Sequence, residues 1–212
     1  MQITILGSTG FLGKVLVEKA LERGYEIKTL VRDPEKLGHL KQRVQYLKGN
    51  MFNSPDVEAA VEGSEIVIST IAPNKRIPEQ PDKYHEAMKG LVSTLEQKNV
   101  QKFIHVGGAA HLGGMNEKWD FKRRFLRFIL LLLSKKILIT KELEWKEIKQ
   151  SSLNWILVRP SGIVTKPSKG RVLASETYLA GLSININDLA DFILQQIHSD
   201  SWDKKAPLIS NE

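Results

Sequence analysis

The sequence predicts an α/β fold, a doubly wound parallel sheet with helices packed on its faces. Three observations predict it. Short β-branched runs alternate with helical periodicity along the chain, as strand–helix–strand units do. A glycine turn stands between the first run and the first helix. The run from Ile66 to Ile71 is apolar except for Ser69 and Thr70, as suits a parallel strand buried on both faces.

Gln2 to Leu6 is a β-branched apolar run and reads as the first strand. It enters Gly7-Ser8-Thr9-Gly10-Phe11-Leu12-Gly13, a Gly-x-x-Gly-x-x-Gly turn. Val15, Leu16, Ala20 and Leu21 then recur at helical spacing, and Gly24 reads as the stop. In that setting the first glycine permits the tight turn, the second lets a pyrophosphate approach the backbone, and the third lets helix and strand pack closely. The pyrophosphate of a dinucleotide would rest on the free N–H groups at the positive end of the helix.

Glu26 to Val31 is the second strand, ending at Arg32-Asp33-Pro34, with a short helical stretch over Glu35 to Leu40. Val44 to Leu47 is the third, closing in Gly49-Asn50. Ser54-Pro55-Asp56 opens a helix, with Ser54 as its cap, a proline in the first turn and an early acidic residue. The fourth strand, Ile66 to Ile71, leads to a loop with Pro73, Asn74, Lys75, Arg76, Pro78 and Pro81, then a helix from about Asp82 to Lys98. Phe103 to Val106 is the fifth strand and ends in Gly107-Gly108-Ala109-Ala110. A long helical region runs from about Trp119 to Gln150, with a break expected near Ser134. Trp155 to Val158 is the sixth strand, ending in Arg159-Pro160-Ser161-Gly162. A loop, a short strand around Val172 and a helix from Asn187 to Ile197 complete the chain. No repeat or linker interrupts it, so residues 1–212 read as one domain, its last third forming a small substrate-side lobe over the sheet.

The 212 residues are 42% hydrophobic and 26% charged, ordinary for a globular protein with a sizeable core. The absence of cysteine excludes disulfides, a thiol nucleophile and zinc–thiolate sites. The five histidines form no His-Glu-x-x-His or similar pairing, so the sequence makes no case for a metal. No signal-peptide pattern is visible, and a cytoplasmic location is the expectation. The formal charge of +7 and pI near 9.5 suit an anionic cofactor or simple solubility, and no nucleic-acid-binding motif accompanies them. Phe125 to Leu133 is a dense apolar run among Lys122, Arg123, Arg124, Arg127, Lys135 and Lys136. It is too short to span a membrane, which takes about 20 residues. It reads as a core helix with a basic edge; the alternatives are a membrane-surface helix or a dimer contact, which leaves monomer and homodimer both open.

Four stretches together resemble a known family. They are the glycine turn at 7–13, Leu30 to Leu37, Leu153 to Gly162, and Ile184 to Leu194. The chain resembles the atypical short-chain dehydrogenase/reductases with an NAD(P)-binding Rossmann domain, nearest the flavin reductase/biliverdin-IXβ reductase and NmrA-like branch. The resemblance implies that Gly7, Thr9, Gly10, Phe11, Leu12 and Gly13 hold the pyrophosphate and that Arg32 sits beside the adenosine ribose. It places Asn50 and Met51 near the adenine, Ser69, Thr70 and Ile71 along the cofactor, and Gly107 and Gly108 beneath the nicotinamide ribose. Pro160, Ser161, Gly162 and Ile163 would pass the nicotinamide.

The departures define the chemistry. The family's usual site has a serine and a tyrosine four residues before a lysine. The lysine-like position is Lys141, but Ile137 stands four residues before it, and Gly107-Gly108 occupy the serine position. None of Tyr25, Tyr46, Tyr84 and Tyr178 has a lysine four residues on. Lys141 is therefore expected to bind ribose hydroxyls, and His111, just after the fifth strand, is the candidate proton source. His105 reads as a hydrogen-bonded core residue, and Ser161 and Asn74 as polar groups at strand ends that orient a substrate or finish a turn. Arg32, where NAD-binding domains usually carry a carboxylate, points to NADP(H), with Asp33 leaving NAD as the alternative. The expected activity is NADP(H)-dependent reduction of a flavin or quinone-like acceptor. The alternative is a non-enzymatic NADP(H)-binding regulator; a sugar-nucleotide epimerase or dehydrogenase is third, disfavoured by the missing tyrosine.

Overall fold

The computed structural model describes residues 1–72, 81–109, 121–167 and 171–212. Its elements follow in order: β1 (Gln2–Leu6), α1 (Phe11–Glu22), β2 (Glu26–Val31), a 3-10 turn (Pro34–Leu40), β3 (Gln45–Lys48), α2 (Ser54–Val61), β4 (Ile66–Ser69), α3 (Pro81–Gln97), β5 (Lys102–Val106) and α4 (Phe121–Gln150). Then come β6 (Trp155–Pro160), β7 (Gly162–Val164), β8 (Val172–Ser175), β9 (Ser183–Asn185), α5 (Ile186–Gln195) and β10 (Leu208–Asn211). Eight strands form one sheet in the order β3-β2-β1-β4-β5-β6-β10-β8. Every pairing in it is parallel except that of β8 with β10.

The doubly wound topology follows from the strand pattern. Successive side chains alternate faces along a strand. Ile3, Ile5, Ile66, Ile68, Ile104, Ile156 and Val158 pack with α1 and α5 on one face. Leu6, Val67, Phe103, Trp155 and Leu157 pack with α2, α3 and α4 on the other. The chain order reverses between β1 and β4, where sheets of this kind open a crevice at their carboxyl ends.

Three expectations change. Ser54 is the first helical residue, not the cap; Asn53 holds the cap position, and the Ser54 hydroxyl bonds Glu58 instead. The long helix runs through Ser134 without a break, because a lone serine does not interrupt a helix rich in Leu, Lys and Arg. The last third is not simply a lobe over the sheet. β8 and β10 extend the main sheet, β7 and β9 form a separate parallel pair, and α5 packs on α1. β10 is seated by Arg159 N–H and Ser161 N–H donating to Pro207 and Ile209 carbonyls at 2.8 and 2.9 Å. Among the described residues, no helix is long and apolar enough to cross a membrane.

Candidate functional site

The turn after β1 is shaped by close backbone contacts. Gly7 has φ +86°, a left-handed value that favours glycine, and its carbonyl accepts from Gly10 N–H at 2.9 Å. A Cβ on Gly13 would lie 2.1 Å from that carbonyl oxygen, so α1 can approach β1 only with hydrogen there. Thr70 ties the turn to β4: its N–H donates to Leu6 O at 2.9 Å and its hydroxyl to Leu6 O and Gly7 O at 3.2 Å. Thr29 on β2 braces the other side, its hydroxyl donating to Ile5 O at 2.7 Å and hydrogen-bonded to buried Ser8 Oγ at 2.7 Å.

α1 begins without a counter-charge. Gly10 is its N-cap, no side chain caps it, and its first turn holds no acidic residue. Its leading N–H groups and the positive end of the helix dipole thus face the cleft unopposed, as an anion site requires. The residues fit a dinucleotide pyrophosphate: the helix end is uncapped, and Gly7, Gly10 and Gly13 add no side chain where the turn and helix come closest.

A cleft of about 420 Å³ opens above this turn. Gly7, Thr9, Gly10, Phe11, Leu12, Arg32, Asn50, Met51, Thr70, Ile71, Gly107 and Ile163 line it, so twelve positions expected from sequence meet in one space. Gly13 lies behind it as the packing glycine. Ser69, Gly108, Lys141, Pro160, Ser161 and Gly162 are not in its lining. Pro160 is a buried residue ending β6, and Gly162 N–H donates to Leu182 O at 3.0 Å. The hydroxyls of Ser69 and Ser161 are buried and, among the described residues, have no hydrogen-bond partner. His111 and Asn74 lie outside the described residues.

Leu30, Val31, Gly49, Phe52, Ala72 and Val106 also line the cleft and escaped the sequence reading. Phe52, next to Met51, was within reach as an aromatic beside an expected adenine contact. Gly49 was not: a Cβ there would meet the Asp56 carboxylate at 2.7 Å, a contact between loop and helix that no local pattern displays.

The two residues after β2 divide their roles. Arg32 lines the cleft, whereas Asp33 Oδ1 accepts from Glu35 N–H at 3.2 Å and caps the 3-10 turn. Asn50 is likewise occupied, accepting from Phe52 N–H at 3.1 Å.

Lys141 belongs to a buried ionic cluster on the α3–α4 face. Its Nζ is 2.8 Å from Glu144 Oε2, and His105 Nε2 on β5 approaches the same oxygen at 3.5 Å. Tyr84 on α3 is buried beside them, its hydroxyl 3.5 Å from Ile71 O. Burial pushes the Glu144 carboxyl up, but the Lys141 ammonium and His105 outweigh it and bring the pKa down to about 2. Burial lowers the His105 pKa and, helped by Glu144, raises that of Tyr84 well above its ordinary value. The cluster therefore sets the Lys141–Glu144 ion pair beside an imidazole held neutral and a phenol held protonated.

The family model described as NAD(P)H-binding matches residues 7–200. The chain belongs to this NAD(P)H-binding family. Among curated relatives, anthocyanidin reductase of Arabidopsis thaliana is 25% identical over 88% of this chain and 64% of its own length. Cinnamoyl-CoA reductase CAD2 of Medicago truncatula is 24% identical over 76% of this chain and 57% of its own length. The chain thus spans less than two thirds of these two relatives. Solved structures share the fold. Anaerobillin reductase ChuY of Escherichia coli superposes with TM-score 0.82 at 16% identity, covering 100% of this chain and 97% of that one. A short-chain dehydrogenase/reductase from Veillonella parvula in complex with NADP gives 0.76 at 18% identity, covering 99% and 94%.

Proposed function

We propose that this chain is an NADPH-dependent reductase that passes hydride to a flavin or quinone-like acceptor. Gly7, Thr9, Gly10 and Leu12 would hold the pyrophosphate, Arg32 the 2′-phosphate, and Asn50, Met51 and Phe52 the adenine side. NADPH, when bound, supplies the hydride. The preference for NADPH over NADH is supported by the division at the end of β2: Arg32 lines the cleft while the Asp33 carboxylate is spent on a turn.

One observation carries the choice of acceptor. Among the described residues, the lining beyond Thr70 and Ile71 is Ala72, Val106, Gly107 and Ile163, none of which can donate a side-chain proton. His105, two residues upstream of Gly107, and Lys141 and Glu144 on α4 are tied up in the buried cluster, where the Tyr84 phenol of α3 is held protonated and the His105 imidazole neutral. Carbonyl reduction needs an acid at the developing alkoxide. A flavin or quinone delocalises the charge and can take its proton from solvent, so positioning against the nicotinamide is the main requirement. Lys141, ion-paired with Glu144, secures α4 in this reading; the ribose contact implied by the resemblance would require its Nζ to leave Glu144.

The relatives named as reductases support the reaction class, without defining the acceptor. The test is steady-state NADPH oxidation against flavins, quinones, simple ketones and sugar nucleotides. Turnover with the first two classes is expected. Turnover confined to ketones or sugar nucleotides overturns the acceptor, and tight NADPH binding with no turnover on any acceptor favours the regulator.

A further inference from the structure

The N-terminal half of α4 carries an apolar stripe in solvent. Phe121, Phe125 and Phe128 are 81%, 53% and 58% exposed. Spaced four and three residues apart, they share one face of the helix, and Ile139, 43% exposed, falls on the same line. The rings of Phe121 and Phe125 stack with centroids 6.1 Å apart. A core helix would bury this stripe; the C-terminal half buries the opposite face instead, through Leu138, Thr140, Lys141, Glu144 and Ile148. A helix of 30 residues is about 45 Å long, whereas the 17-residue α3 beside it is about 26 Å long.

The charge of this half selects what covers it. From Phe121 to Lys136 the sequence contains Lys122, Arg123, Arg124, Arg127, Lys135 and Lys136 and no acidic residue. Arg124, Lys135 and Lys136 are exposed, and helical geometry sets them along the edges of the phenylalanine stripe. Two copies of this face apposed would bring two such all-cationic segments together, which like-charge repulsion opposes. An anionic surface complements it. Aromatics on one line with cations at its edges are the pattern of a helix lying in a membrane interface, its rings at the headgroup–acyl boundary. We propose that the N-terminal half of α4 seats this chain on an anionic lipid surface. Phe121, Phe125 and Phe128 enter the interface, and the flanking cations meet lipid phosphates.

Flotation with vesicles of phosphatidylcholine alone, and of phosphatidylcholine mixed with phosphatidylglycerol, tests this at low and high salt. Binding to the mixed vesicles, weakened by salt, is expected. Replacing Phe121, Phe125 and Phe128 together by Ser leaves net charge unchanged and should weaken binding at least about tenfold. Lys135→Glu with Lys136→Glu should also weaken it about tenfold, whereas Lys89→Glu with Lys146→Glu, the same charge change at exposed sites on α3 and the far half of α4, should stay within about threefold. Retained NADPH binding confirms that each variant is folded. Four results overturn the proposal: no binding to anionic vesicles, equal binding to neutral ones, equal loss in the Lys89/Lys146 pair, or a dimer by light scattering that the triple serine variant dissolves.

Discussion

The turn after β1 and the ionic cluster behind β5 both handle charge, by opposite means. The turn does so with backbone: helix N–H groups left uncapped and glycines that keep side chains away. The cluster does so with side chains, Tyr84, His105, Lys141 and Glu144, brought together from α3, β5 and α4. A backbone site cannot tolerate volume, because carbonyls have nowhere to move. A side-chain cluster tolerates small changes of shape but not a lost partner, which leaves a buried charge alone.

Gly13→Val should break the first region most severely. Its Cβ would meet Gly7 O at 2.1 Å, so α1 must leave β1, at a cost of at least about 4 kcal/mol and with loss of NADPH binding. Calorimetry and urea unfolding measure both, and a normally stable variant that binds NADPH would show the close approach to be dispensable. The matching change in the second region is Glu144→Gln, close in shape but uncharged. It should cost about 3–5 kcal/mol by stranding Lys141, and adding Lys141→Met should restore most of that. A double variant no more stable than the single would mean that shape, not charge, governs the cluster.

Arg32→Ala sharpens the comparison at the cleft's edge, where a side chain supplements the backbone site. We expect about tenfold or greater weakening for NADPH and about twofold or less for NADH, read by titration calorimetry. Equal affinities of the unmodified chain for the two cofactors would remove the argument.

The smallest effect is a slope. Burial keeps the His105 pKa below the ordinary 6.5. The unfolded chain therefore takes up a proton as pH falls through 6.5 while the folded chain does not, and stability declines below that pH. One proton corresponds to at most about 1.4 kcal/mol per pH unit, a contribution that His105→Gln should remove from the stability profile as pH falls below 6.5. Glu144 acts lower: its contribution is present above 4.5 and is lost as pH falls through about 2. An unchanged slope in His105→Gln would mean that His105 titrates normally.

The same contrast explains what could be read in advance. Gly7 to Gly13 was legible because a turn, its clearance and the following helix start are contiguous, and their residue types are dictated by φ angles and backbone distances. The strands β1, β2, β4, β5 and β6 were legible because alternation and apolar runs report burial. Arg32 was legible as the residue at a strand end, although its separation from Asp33 became clear only once Asp33 was seen capping the next turn. β10 was missed because four residues carry little pattern and their pairing with β6 joins positions some fifty residues apart. The Lys141–Glu144 pair has a local, i,i+3 spacing, but its burial against His105 does not: His105 lies some forty residues away on β5, and no local pattern links them.

By itself, then, the amino-acid order determined the doubly wound sheet, the dinucleotide turn and the missing Tyr-x-x-x-Lys site. Only the tertiary structure decided which neighbours each face would meet. It buried Lys141 against Glu144, and it left Phe121, Phe125 and Phe128 exposed on a helix whose periodicity suits a core equally well. Periodicity states which side of an element is apolar; what covers that side depends on segments distant in sequence, because packing is a contact between surfaces rather than a property of one.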